Sequence, residues 1–152
     1  MNADFSDLLR EFSAAGVRYL LVGAHALAFH AEPRATGDLD VWVARDLENA
    51  KRVYTALARF GAPLENVAVE DFTSDDVIFQ MGVVPFRIDV LTSIDGVEFE
   101  AAWNEHVEAT IDGTVVPVIG RHAFVANKRA AGRPKDLGDV ELVLRHHPED
   151  RP

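Results

Sequence analysis

The stretch TGDLDVWV, residues 36–43, constrains the fold more than any other part of the chain. Asp38 and Asp40 stand one residue apart at the head of an apolar run. Alternate side chains of a β-strand share a face, so both carboxylates point one way while Leu39 and Val41 point the other. One face is committed to a core and the opposite face carries two like charges. Two such charges repel unless something positive lies between them. A later stretch, RIDVL at residues 87–91, repeats the arrangement, with Asp89 flanked by Ile88 and Val90. If the two strands pair, three carboxylates meet on one face. The plainer alternative makes Asp38 and Asp40 turn or edge residues and lets Asp89 pair with its neighbour Arg87.

Around these strands the periodicity predicts a simple alternation of elements. Phe5, Leu8, Leu9 and Phe12 recur at helical spacing, giving an amphipathic helix over the first dozen residues with Gly16 as its stop. Residues 18–23, RYLLVG, read as a buried strand ending in glycine. Residues 24–31 read as a helix that starts directly after Gly23 and is ended by Pro33. Leu47, Ala50, Val53, Tyr54 and Leu57 form the stripe of a helix over 46–61, stopped by Gly61. Residues 62–76 read as a loop with a short extended piece. Strands follow at 77–81 and 86–91, joined by GVVP, then a short helix at 97–104. Residues 106–120 read as a hairpin turning at Asp112-Gly113. Two helices broken at GRP complete the chain, with Asp136 capping the last. The expected fold class is α/β (α+β), a mixed β-sheet flanked by helices, in one domain over 1–147 with a disordered tail at 148–152.

Composition narrows the chemistry. With 152 residues and 48% hydrophobic content the chain can bury one core. It has no cysteine, which excludes disulfides, zinc-thiolate sites and a cysteine nucleophile, and fits a cytoplasmic location. The N-terminus lacks a long apolar run, so neither a signal peptide nor a membrane span is expected. The net charge of −10 repels nucleic acid on average and leaves a nucleic-acid partner an open question; its plainest meaning is solubility.

Three gathered carboxylates call for a hard divalent cation, Mg²⁺ or Mn²⁺. Two such ions about 3.5–4 Å apart clamp a phosphoryl group in line between attacking and leaving oxygens. Directly upstream, Gly23 at a strand-to-helix junction lets backbone approach a ligand, and the following helix N-terminus offers N–H groups to an anion. By itself that junction is an ordinary turn. Arg34, four residues before Asp38, either touches a phosphate, braces the carboxylates or is a surface arginine. His25 and His30 lie five apart and do not share a helix face, which argues against a metal pair; His25, in the first turn, is a candidate nucleotide contact. His146 and His147 are expected to lie in solvent near the chain end, and Trp42 to pack. Lys128, Arg129, Arg133 and Lys135 form the strong basic cluster. Alone they would be a solvated helix face; beside an acidic metal site they suit a triphosphate.

The segment VGAHALAFHAEPRATGDLDVWV together with Asp89 resembles the nucleotidyltransferase superfamily that includes DNA polymerase beta and kanamycin nucleotidyltransferase. That family's pattern is a glycine-containing turn and helix, then D-x-[DE], then a third acidic residue on a later strand. The likeness is greatest to the small bacterial branch related to abortive-infection toxins, which also shows a late Lys and a K-D-x-x-D segment. Here these are Lys128, and Lys135, Asp136 and Asp139 within GRPKDLGDVELV. The resemblance implies a minimal nucleotidyltransferase fold over most of the chain. It implies attack of an acceptor hydroxyl on the α-phosphate of a nucleoside triphosphate such as ATP. Asp38 and Asp40 would hold two metal ions, Asp89 would bind the second and help deprotonate the acceptor, and Lys128 and Arg133, with Lys135 beside them, would meet the triphosphate. The family usually has Gly or Ser after the motif glycine; here Ala24 keeps the backbone N–H and lacks a hydroxyl.

The expected activity is Mg²⁺-dependent transfer of a nucleoside monophosphate to a protein, an RNA end or a small molecule. A chain this short has little room for an acceptor domain, which leaves a partner protein or homodimer to complete the site. The alternative is a catalytically inactive binding module of the same fold in a toxin–antitoxin pair. A metal-dependent phosphohydrolase would also use three carboxylates.

Overall fold

The computed structural model describes residues 1–33, 36–83 and 85–152. In chain order the elements are α1 (Ala3–Ala14), β1 (Tyr19–Val22), α2 (Gly23–His30), β2 (Asp38–Val43) and α3 (Leu47–Phe60). A 3₁₀ segment (Val69–Thr73), β3 (Ile78–Val83), β4 (Phe86–Leu91) and α4 (Phe99–Asn104) follow. Then come β5 (Val107–Ile111), β6 (Thr114–Val118), α5 (Arg121–Ala131), α6 (Pro134–His146) and a 3₁₀ turn (Pro148–Asp150). The strands form one six-stranded mixed sheet in the order β3-β4-β2-β1-β6-β5. β2 runs antiparallel to β1 and parallel to β4, and β1 meets β6 in parallel through Leu21 and Val118.

One face of the sheet carries Tyr19, Leu21, Leu39, Val41, Val43, Ile88 and Val90 and is buried throughout. Helices α1 and α3 cover it. The stripe Phe5, Leu8, Leu9 and Phe12 supplies the inner side of α1, and Phe12 meets Tyr19 edge to face at 5.3 Å. The 3₁₀ segment packs beside α3 and inserts buried Phe72 against Phe79. This segment stands where the sequence suggests a loop with an extended piece; a single core anchor, Phe72, is too little periodicity to predict a turn of helix.

Helices α2, α4, α5 and α6 lie toward the opposite face, where Trp42 packs on Phe99 at 5.0 Å. Asp136 is the third residue of α6, not its N-cap: its carboxylate accepts the N–H of Arg133 at 3.2 Å, closing the helix start from inside. The hairpin turns where expected, with Asp112 and Gly113 both at positive φ (48° and 83°) as a two-residue turn of this hand requires. Residues 148–150 form the 3₁₀ turn, Asp150 pairs with Arg121, and His147 hydrogen-bonds the carbonyl of His30 at 2.7 Å. No helix among the described residues is long and apolar enough to cross a membrane.

Candidate active site

The parallel pairing of β2 and β4 sets Asp40 opposite Asp89 and Asp38 opposite Arg87. Register partners share a face, so the three carboxylates and the Arg87 guanidinium project together from the centre of the sheet. The apolar alternation fixes this register: a slip of one residue would drive Leu39, Val41, Ile88 and Val90 out of the core and the charges into it. Gln80 of β3, opposite Asp89, adds an exposed amide on the same face.

The geometry between the charges is close. Arg87 Nε lies 3.2 Å from Asp89 Oδ1, and Arg87 Nη2 lies 3.6 Å from Asp38 Oδ2. The positive group that the two-aspartate strand calls for is therefore present in the chain. The 3.2 Å contact is poorly aligned, and both Arg87 Nε and Asp89 Oδ1 are buried without a hydrogen bond; the weaker Nη2–Asp89 Oδ2 bond spans 3.4 Å. Asp40 is the strained member. Burial first, then the charges of Asp89 and Asp38, push its pKa up to about 6, while Lys128 pulls it the other way.

Gly23 shapes the next wall. It opens α2 at φ +67°, and a Cβ built there would sit 2.3 Å from Asp40 Oδ2. Only a bare backbone lets the start of α2 lie against that carboxylate. α2 begins without a side-chain cap, so its first N–H groups are not taken by a capping side chain. Ala24 and His25 occupy this first turn. His25 packs edge-on to Phe5 at 5.9 Å, its Nε2 is buried without a partner, and burial lowers its pKa. His30 serves the core instead, with Nε2 2.7 Å from the carbonyl of Ile119. Arg34 lies outside the described residues.

The basic cluster divides. Lys128 of α5 is held between Asp136 and Asp139 of α6, at 3.5 Å from each, and over the ring of Phe124. Its charge is still felt at Asp40. Arg133 donates to fully buried Asp136 at 2.7 Å, and that bond, with help from Lys128, holds the Asp136 carboxyl below its ordinary range. Lys135 is exposed in the first turn of α6. The K-D-x-x-D segment thus orients Lys128 through its two aspartates, a role that its sequence spacing alone does not reveal. Lys128, Arg133 and Asp136 also border a cleft of about 390 Å³ floored by Ile78 and Leu91, on the face that carries the carboxylates.

The donor chemistry suits a hard divalent ion at Asp40 and Asp89: both offer carboxylate oxygens, one of those oxygens is buried and unpartnered, and Asp40 is short of positive charge. Among the described residues no group of three or more His, Asp or Glu side chains is drawn close enough together to hold a metal ion. Asp38 faces the Arg87 guanidinium at the edge of the group.

The same architecture occurs in solved structures. An antigenic nucleotidyltransferase-like protein from Paracoccidioides brasiliensis superimposes with a TM-score of 0.56 at 15% identity, over 97% of this chain and 75% of that one. A protein from Thermotoga maritima, carrying a provisional nucleotidyltransferase assignment, superimposes with a TM-score of 0.55 at 15% identity, over 99% of this chain and 96% of that one. No protein-family model matches the sequence, and no curated protein matches it. The chain has the nucleotidyltransferase fold.

Proposed function

We propose that this chain is a divalent-metal-dependent nucleotidyltransferase, moving a nucleoside monophosphate from a nucleoside triphosphate to an acceptor hydroxyl. The observation that carries the reading is the pairing of Asp40 with Asp89 on one face, with the bare backbone of Gly23 against Asp40. Asp40 and Asp89, with Asp38 beside them, would hold Mg²⁺ or Mn²⁺. Bound there, the metal would supply positive charge to the triphosphate and to the attacking oxygen.

The chain's own groups do the rest. The first turn of α2 offers N–H groups to phosphate oxygens. Lys128, fixed by its two aspartates, adds a positive charge that needs no reorganisation. Arg133 extends that charge along the cleft, and Lys135 is exposed two residues further on. Asp89 accepts the proton of the acceptor hydroxyl; the hydroxyl oxygen bonds to the α-phosphorus, the α–β phosphoanhydride bond breaks, and pyrophosphate leaves. The net charge of −10 favours a protein or small-molecule acceptor over a long RNA.

A second reading has a specific observation behind it. Arg87 already counters Asp38 and Asp89, and Ala24 lacks the hydroxyl common at that position, as suits a silent binding module of a toxin–antitoxin pair. Calorimetry with each nucleoside triphosphate, with and without Mg²⁺, separates the two. The transferase reading expects Mg²⁺-dependent binding that the Asp38→Ala/Asp40→Ala double variant loses; equal binding by that variant contradicts it.

A further inference from the structure

We propose that Arg87 is a resident counter-ion of the carboxylate site, competing with a divalent ion for the oxygens of Asp38 and Asp89 and so setting how readily that ion enters. This rests on the transferase reading, and it concerns a residue to which the reading gives no role.

Three features support it. Arg87 is placed by register: it stands opposite Asp38 and two residues before Asp89, so its side chain leaves the sheet among the carboxylates. Its contacts are electrostatic more than directional. A well-made arginine–carboxylate pair is bidentate, with two parallel bonds of about 2.7–2.9 Å. Arg87 instead makes longer contacts of 3.2, 3.4 and 3.6 Å shared between two carboxylates, and its Nε lacks an aligned acceptor. Such a guanidinium is held by charge and leaves when a stronger charge arrives. Its side chain is also 36% exposed, so a path to solvent is open.

Lys128 makes the contrast. It is anchored by Asp136 and Asp139 on the neighbouring helix and stays in place whatever occupies the carboxylates. One cation is therefore fixed and the other exchangeable. The functional consequence is coupling. Metal alone must displace Arg87 into water, whereas metal arriving with a triphosphate brings phosphate oxygens that can take up the freed guanidinium. Metal and nucleotide then enter together more readily than either alone. Arg87 acts through the carboxylates and is a positioning residue.

The test is Mn²⁺ affinity by calorimetry without nucleotide, in wild type, Arg87→Met and Arg87→Lys. Removing the competing charge should tighten Mn²⁺ binding about tenfold or more in Arg87→Met, and Arg87→Lys, which keeps the charge, should return it toward wild type. Should Arg87→Met fail to fold, the wild type itself decides. Its Arg87 Nε–Hε signal, followed by NMR, should shift as Mg²⁺ is added with a triphosphate, because the guanidinium leaves the carboxylates for phosphate oxygens. Wild type that binds Mn²⁺ while Arg87→Met binds no tighter, or an Arg87 signal unmoved at saturating Mg²⁺ and triphosphate, overturns the counter-ion role and leaves the transferase reading standing. Wild type and Arg87→Met that both ignore the metal, with and without triphosphate, overturn both.

Discussion

A methyl group at Gly23 would occupy the space of Asp40's carboxylate, 2.3 Å from Oδ2, on a backbone at φ +67°. Gly23→Ala should therefore destabilise the fold by about 1–3 kcal/mol, read from the denaturation midpoint, and push Asp40 out of line. An unchanged midpoint would contradict the close approach. Asp40 itself gives a pH-dependent prediction. Its pKa is pushed up to about 6 from an ordinary 3.8, so the folded state carries an unfavourable charge above pH 6 that is relieved as pH falls toward 3.8. Asp40→Asn removes that charge. In chelator at pH 8 it should gain about 1–3 kcal/mol, solvent screening keeping it below the full linkage value. The gain should shrink at pH 4.5, as paired thermal melts would show. At this scale the sequence was informative wherever period two was enough: Asp38, Asp40 and Asp89 stand on the face their alternation predicts. Arg87 was legible only as a neighbour of Asp89. Its meeting with Asp38 depends on a strand pairing that skips more than forty residues of chain, and no local pattern encodes that distance.

Helix α3 shows what an element needs beyond its apolar stripe. Asp46 caps it by accepting the N–H of Asn49 at 3.0 Å. The Asn49 side chain, buried under that cap, accepts from Arg18 N at 2.7 Å and donates to the carbonyls of Arg18 at 3.0 Å and Ala44 at 2.8 Å. One amide thus ties the start of β1 and the end of β2 to α3. Asn49→Leu keeps the size and removes every bond, leaving buried backbone groups unpaired; a loss of about 2–4 kcal/mol is expected by denaturant titration. A change within a few tenths of a kcal/mol would mean that water replaces the amide. The helices and the Asp112-Gly113 hairpin were readable because each has its own stripe, stop or turn pair. Asn49 was not: it lies on the buried side with Ala50, Val53, Ala56 and Leu57, and in sequence a lone polar residue there looks the same whether it faces water or a buried carbonyl. The aspartates of K-D-x-x-D are similar: the sequence offers Asp136 as a helix cap, and their geometry shows a clamp on Lys128.

At the scale of the molecule, the sheet order brings the distant pieces together. β2 lies between β1 and β4, so the Gly23 junction at the end of β1 and Asp89 on β4 flank the two-aspartate strand from either side. Six strands and two covering layers were foreseeable as a mixed sheet with helices; the order β3-β4-β2-β1-β6-β5 was not, because strand pairing is settled by packing and not by sequence adjacency. The order explains why one face can hold a core while the other holds three carboxylates, an arginine and, across the cleft, a fixed lysine. It also keeps the acidic surface of a chain with net charge −10 from being a simple repellent to phosphate, since cations stand beside the carboxylates. The most direct test of this arrangement follows the label. Wild type is incubated with Mg²⁺ and nucleoside triphosphates labelled at the α- or the γ-phosphate, in the presence of cell extract as a source of acceptors. The account predicts that α-label moves to an acceptor and γ-label is released as pyrophosphate, with both lost in Asp40→Asn and Asp89→Asn. Transfer that persists in those two variants, or γ-label appearing as inorganic phosphate with no acceptor labelled, would contradict it.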